Sequence, residues 1–217
     1  MRLLDYIFPP RADELALRDV SLDTFLAHSA PRLVEYTRPG TVALLPFSHI
    51  AVRAALHEAK YHGSGYAFEL LGAVLADYLR DIDEMRNKST QLCLVPVPLG
   101  KKRLKERGYN QSEEILRSAI GILTEEDGIC TYSLHPRLLA RTRDTVSQVS
   151  LPRDEREGNM CGAFHCPLQI DEGEGGEAAS IYIVLDDVIT TGATLQAAVS
   201  ALKKAGAKRI IPLALAH

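Results

Sequence analysis

The chain has 217 residues, of which 46% are hydrophobic and 24% charged, and its formal net charge is -3. That length suits one large domain or a core domain with a small addition, and the balance is that of an ordinary globular protein, with no global signal for nucleic-acid binding. No apolar run reaches the roughly 20 residues that a membrane-spanning helix needs, so no membrane partner is expected.

The N-terminal stretch "MRLLDYIFPP" carries Asp5 inside its apolar part and has no small-residue cleavage site. A secretory signal is therefore not expected, and a cytoplasmic location is. Up to about residue 81 the chain reads as mostly helical: "PRADELALRDVSLDTFLAHSA", then "HIAVRAALHEAKYHG", then "YAFELLGAVLADYLRDI". In the second of these Ile50, Ala54 and His57 recur at helical spacing, and Gly63 supplies a stop. Between them "TVALLPF" is either a strand or an extended connector.

Further on the rhythm changes. "QLCLVPVPL" is a β-rich run, "NQSEEILRSAIGILTEE" a helix, "ICTYSLHPRLLA" extended, and "LPRDEREGNM" a polar connection. The glycine-rich acidic loop at 171–179 precedes the strand "ASIYIVLDD"; "ATLQAAVSALKKAGA" then forms a helix ended by Gly206, and "KRIIPLALA" a last strand. Strands alternating with helices predict a parallel sheet with helices on both faces and a ligand beyond the carboxyl ends of the strands. The expected division is a small, mainly helical N-terminal segment at 1–47 and an α/β domain at 48–217. The cysteines Cys93, Cys130, Cys161 and Cys166 contain no C-x-x-C pair. Cys161, Cys166 and His165 lack a fourth ligand, so structural zinc is not expected.

The chemistry concentrates in "IVLDDVITTGATL", residues 183 to 195. An apolar strand ends in Asp186 and Asp187, and a threonine-glycine turn leads into a helix. The free amides and partial positive charge of a helix N-terminus suit a phosphate. Thr190, Thr191 and Thr194 add hydroxyls, while Gly192 lets the backbone approach closely or take a positive φ. Carboxylates would repel that phosphate; they suit sugar hydroxyls, or a magnesium ion that carries a second phosphate group. One molecule presents a terminal phosphate, a sugar diol and a metal-binding pyrophosphate in that order: 5-phosphoribosyl 1-pyrophosphate, PRPP. The plainer alternative is a helix cap and a loop.

The segment resembles the PRPP signature of the type I phosphoribosyltransferases. "VPVPLGKKRLKERGYNQSEEI" strengthens the likeness, because a strand, a basic run and "RGYNQSE" in that order resemble the hallmark of the ComF family, which includes competence-associated and GntX-like proteins. "HEAKYHG" at 57 to 63 and "ARTRDTVSQVSLPRDEREGNMCGAF" at 140 to 164 fit the same pattern. The resemblance implies a type I phosphoribosyltransferase-like fold. It also implies that residues 190 to 194 hold the 5-phosphate and that Asp186 and Asp187 hold the ribose hydroxyls and order Mg2+. Lys101, Lys102 and Arg103 would receive the pyrophosphate, with Arg141 and Arg143 closing over it; Asp186, Asp187, Lys101 and Arg141 form the catalytic set.

Each block also has an ordinary structural role open to it: Asn110, Gln111 and Ser112 as a helix cap, Tyr109 as core packing, Arg141, Arg143 and Gln148 as loop residues, Lys60 and Tyr61 as surface. Many relatives open with a cysteine zinc module after a Leu-Phe-Pro-like motif. Here "YIFPPRADELALRDV" keeps Phe-Pro, but no cysteine precedes Cys93. In purine-salvage relatives an aspartate stands where this chain has Thr190, which argues against a purine acceptor. The functional expectations are an enzyme transferring phosphoribose to an unidentified small acceptor, a PRPP-binding adaptor in DNA uptake with single-stranded DNA or a helicase-like partner, or an α/β domain without PRPP affinity.

Overall fold

The strand "IYIVLDDV", β7 (Ile181–Val188), lies between two other parallel strands, β3 (Leu92–Pro96) and β8 (Arg209–Ala216). Its alternate residues point to opposite faces, as a pleated strand requires. Ile183 and Leu185 join Leu92, Leu94, Leu213 and Leu215 in one core, while Tyr182 and Val184 join Cys93, Val95 and Ala214 in the other. An apolar run on both faces is the pattern of a parallel strand covered on both sides. The computed structural model describes residues 11–37, 40–85, 90–127, 132–142, 162–170 and 180–217.

The sheet order is β1 (Arg32–Val34), β2 (Thr41–Leu45), β8, β7, β3 and β4 (Tyr132–Leu134). All neighbours are parallel except β1, which runs antiparallel to β2 at one edge. The fold is thus the expected α/β type I phosphoribosyltransferase-like architecture, with one antiparallel edge strand added. "TVALLPF" supplies β2, and the expected domain boundary after residue 47 falls just beyond that strand, which is hydrogen-bonded to β8.

One face is covered by α1 (Ala12–Arg18), α2 (Leu22–Leu26), α3 (Ile50–Tyr61), α4 (Gly65–Met85) and α6 (Gln111–Asp127). "PRADELALRDVSLDTFLAHSA" forms two short helices because Ser21 starts a new one: its Oγ accepts the Thr24 N–H at 3.2 Å. The other face packs against α7 (Ala193–Lys204) through Leu195, Ala198 and Leu202, and against a ribbon of β5 (Ala140–Arg141) paired antiparallel with β6 (Phe164–His165). The polar connection at 151–160 and the acidic loop at 171–179 lie outside the described residues. No helix among the described residues is long and apolar enough to cross a membrane.

α4 and α6 cross closely at Gly72, where an added Cβ would meet Ser118 Oγ at 2.4 Å and Ser118 Cβ at 2.7 Å. On an exposed helix Gly→Ala stabilises by about 1 kcal/mol. Gly72→Ala should instead destabilise by about 1–3 kcal/mol through overpacking. A lowered denaturant midpoint, restored by Ser118→Gly, is the expected readout.

Candidate functional site

Asp186 and Asp187 lie within β7 rather than beyond it, since the strand continues to Val188 and pairs with Ala216 there. The ladder extends one residue further, the Ile189 N–H donating to the Ala216 carbonyl at 2.9 Å. The pleat therefore sends the two side chains in different directions. Asp187, 9% exposed, takes the Lys60 ammonium at 3.1 Å and the Gln111 amide at 3.1 Å on the same oxygen, Oδ2. Its Oδ1 accepts the Val188 N–H at 2.8 Å. Asp186 Oδ1 accepts the Asp187 N–H at 3.0 Å.

Desolvation, and then the neighbouring charge of Asp187, push the Asp186 carboxyl up to about 7. The folded state therefore holds a proton that the unfolded chain releases near pH 4. By linkage, stability of the ligand-free protein should fall as pH rises from about 4 to about 7, because there the unfolded state binds fewer protons. Thermal melts at pH 5, 6, 7 and 8 check the slope.

The turn after β7 is shaped by Gly192. Its φ of 80° is left-handed, and an added Cβ would meet Thr37 Cγ2 at 2.5 Å. Only glycine fits both conditions without strain. Gly192 is the N-cap of α7, its carbonyl accepting the Gln196 N–H at 2.9 Å, and Thr191 Oγ1 accepts the Ala193 N–H at 3.4 Å. Thr190 is exposed, Thr191 and Ala193 are buried, and Thr194 is half-buried.

The turn is braced by the β1–β2 connection. The Tyr36 hydroxyl donates to the Thr190 carbonyl at 2.6 Å and meets His217 Nε2 at 2.7 Å. Arg32 donates to His217 Nδ1 at 2.7 Å, so the ring proton sits on Nε2 and the relay Arg32, His217, Tyr36, Thr190 has one consistent direction. Burial and the Arg32 charge hold the His217 pKa below its usual value, in keeping with this neutral ring.

The basic run forms a helix of its own, α5 (Lys101–Arg107). Lys, Arg, Leu and Glu are good helix formers, and Gly108, at φ 82°, ends it. α5 follows the carboxyl end of β3, the strand beside β7, and so starts at the same edge of the sheet as the acid pair. The Val97 N–H donates to the Leu185 carbonyl at 2.9 Å, and Asn110 Nδ2 donates to the Val97 carbonyl at 3.0 Å, fixing the connection. Lys101 and Lys102 are exposed and Arg103 is half-buried.

Arg107 has a different place from the first three cations. Its Nη1 donates to Gln111 Oε1 at 3.0 Å, which turns the Gln111 amide toward Asp187, and its guanidinium lies 5.1 Å from the Tyr61 ring centroid. "HEAKYHG" and "RGYNQSE" thereby meet at Asp187, and Tyr109, whose hydroxyl donates to the Ala59 carbonyl at 2.8 Å, joins the two blocks.

Arg141 sits in the β5–β6 ribbon with its guanidinium 5.3 Å from the Phe164 ring centroid. Arg143 and Gln148 lie outside the described residues. Sequence reasoning gave no site role to Tyr36, Thr37, Lys60 or Gln111. The family-like blocks contained the last two, but nothing in them indicated that they converge on Asp187.

His57, Glu58 and His62 bring three potential metal-donor atoms within 4.8 Å of one another. The Glu58 oxygens are, however, taken by Arg11, at 2.9 Å and 2.6 Å, and His57 pairs with Asp13 at 2.8 Å. Arg11 holds Glu58 well ionised, below the usual carboxylate range. The group is an ion-pair cluster that ties α1 to the end of α3 carrying Lys60.

Comparison with known proteins agrees with this arrangement. A family described as "Phosphoribosyl transferase domain" matches residues 142–216. The chain is also 26% identical over 151 residues to "Competence protein F" of Haemophilus influenzae (strain ATCC 51907 / DSM 11121 / KW20 / Rd), a match covering 70% of this chain and 61% of that relative. It thus spans less than two thirds of the relative's length. The sheet order and the acid pair ahead of a glycine turn are in keeping with these two matches, which make the chain similar to a phosphoribosyl transferase domain over residues 142–216 and to that competence protein.

Proposed function

We propose that the chain binds magnesium–PRPP and transfers its phosphoribose to a small acceptor, releasing pyrophosphate. The observation that carries this reading is the series on β7 and α7: two carboxylates of different environment, then a left-handed glycine turn opening a helix. The amides at Gly192 and Ala193, with the hydroxyls of Thr190, Thr191 and Thr194, would hold the 5-phosphate. Asp186 and Asp187 would accept the ribose hydroxyls.

The donor set suits magnesium, which is commonly held by one or two carboxylates together with substrate phosphates. When bound, the ion would stabilise negative charge on the leaving pyrophosphate. Lys101, Lys102 and Arg103, at the adjoining strand end, would receive the same charge, acting as preorganised donors where it develops. The C1–oxygen bond to pyrophosphate breaks, the acceptor atom forms the new bond to C1 through an oxocarbenium-like state, and the acceptor's proton is released.

Calorimetric titration with PRPP, with and without magnesium and against ribose 5-phosphate, tests the reading. Magnesium-dependent binding of PRPP, tighter than of ribose 5-phosphate, is expected, and steady pyrophosphate release should then identify an acceptor. Failure to bind either ligand would overturn it. The exposed cations of α5, and the name of the relative, favour a second reading as an adaptor that touches single-stranded DNA in competence. DNA binding that weakens steeply with salt would support it, through counterion release.

A further inference from the structure

The Asp187 carboxylate is already engaged in the ligand-free protein. A carboxylate has about four lone-pair positions, two on each oxygen. Oδ2 spends both, on Lys60 and Gln111 at 3.1 Å each, and Oδ1 spends one on the Val188 N–H at 2.8 Å. One position is left, too few for a ribose hydroxyl and a metal or its water together. A partner must therefore leave before Asp187 can serve both.

The partners differ in their freedom to go. Gln111 is 4% exposed and is gripped at its other end by Arg107 at 3.0 Å. The Val188 amide belongs to the strand. Lys60 sits on a flexible stem near the end of α3, its side chain is 32% exposed, and its other neighbour is the Tyr61 ring, 6.0 Å from Nζ. An ammonium is a compact point charge with rotatable donors, suited to changing partners.

We propose that Lys60 is the resident counter-ion of Asp187 and that magnesium–PRPP takes its place, the freed ammonium turning to an anionic oxygen of the incoming ligand. The inference rests on the reading of the acid pair as a sugar and magnesium site. It gives Lys60 two opposed effects. Against bare magnesium the ammonium is a competitor for Asp187, which protects the empty site from filling with metal alone. Toward PRPP it is an added cation, so metal and substrate enter best as a pair.

The test compares wild type, Lys60→Met and Lys60→Arg. Bare metal affinity is read by the free-ion electron paramagnetic resonance signal of manganese(II), a stand-in for magnesium, and PRPP affinity by calorimetry at saturating magnesium. An opposite charge at this range alters a carboxylate's affinity for a proton by one to three orders of magnitude, so Lys60→Met should bind the bare metal roughly tenfold more tightly. The same variant should bind PRPP roughly tenfold more weakly, by loss of a charge-assisted hydrogen bond. Lys60→Arg keeps the charge and should stay near wild type for bare metal. Thermal midpoints confirm that the variants are folded.

A wild type that binds PRPP, with Lys60→Met moving both affinities in the same direction or neither, would overturn the inference alone and leave Lys60 as a structural partner. A wild type that binds no PRPP would overturn the ligand reading and this inference with it.

Discussion

Asp187→Asn is expected to abolish magnesium-dependent PRPP binding while leaving the fold intact. Asparagine keeps the shape of the side chain and an oxygen for the Val188 N–H, but it loses the charge that Lys60 and a metal both need. Loss of one preorganised electrostatic partner at a reacting centre costs about 3–4 kcal/mol. That corresponds to a drop of about two to three orders of magnitude in affinity.

The cost to stability should be far smaller. Lys60 is about a third exposed and can turn to water, and partly exposed ion pairs contribute about 0–1 kcal/mol. Asp186 also loses the neighbouring charge that, after desolvation, does most to raise its pKa, so its carboxyl should ionise at lower pH in the variant. Calorimetry with PRPP, with and without magnesium, and a thermal melt separate binding from folding. Normal magnesium-dependent binding by this variant would remove the acid pair from the site.

The sequence made the centre of the molecule legible and left its connections obscure, for a physical reason. β7, the turn and α7 are contiguous, so their apolar run, acids and glycine can be read from one window. The contacts that complete the site join distant positions. Gln111 and Asp187 are 76 residues apart, and Tyr36 reaches the Thr190 carbonyl across 154. No local period encodes such pairs. The motif "HEAKYHG" marked Lys60 as family-like without saying what the lysine faces, and a lysine at a helix end ordinarily faces water. β1 is three residues long, too short for alternation to show. α5 was obscured by its charge: a dense run of cations reads as a solvated connection, although its residues favour a helix and Gly108 supplies the stop.

Gly192→Ala is expected to weaken PRPP and ribose 5-phosphate together, by at least roughly tenfold, which is about 1.4 kcal/mol. Two costs act at this position. A φ of 80° is unfavourable for an L residue by about 1–2 kcal/mol. The new methyl would also stand 2.5 Å from Thr37 Cγ2, a buried side chain that cannot move freely, because its Oγ1 donates to the Val34 carbonyl and accepts the Thr41 N–H, each at 2.8 Å. The turn must yield instead. Its displacement would carry the amides of residues 192 and 193 away from the phosphate and loosen the Tyr36 bond to the Thr190 carbonyl. Because the acid pair precedes the turn in a strand paired on both sides, it should keep its geometry. The magnesium dependence of the remaining PRPP binding should therefore persist, whereas Asp187→Asn should erase it. A second substitution, Thr37→Ser, removes the obstructing methyl while keeping the hydroxyl, and should recover part of the affinity of Gly192→Ala. Recovery in the double variant would assign the loss to packing of the turn against the β1–β2 connection; an unaltered affinity in the single variant would show that the 5-phosphate is held elsewhere.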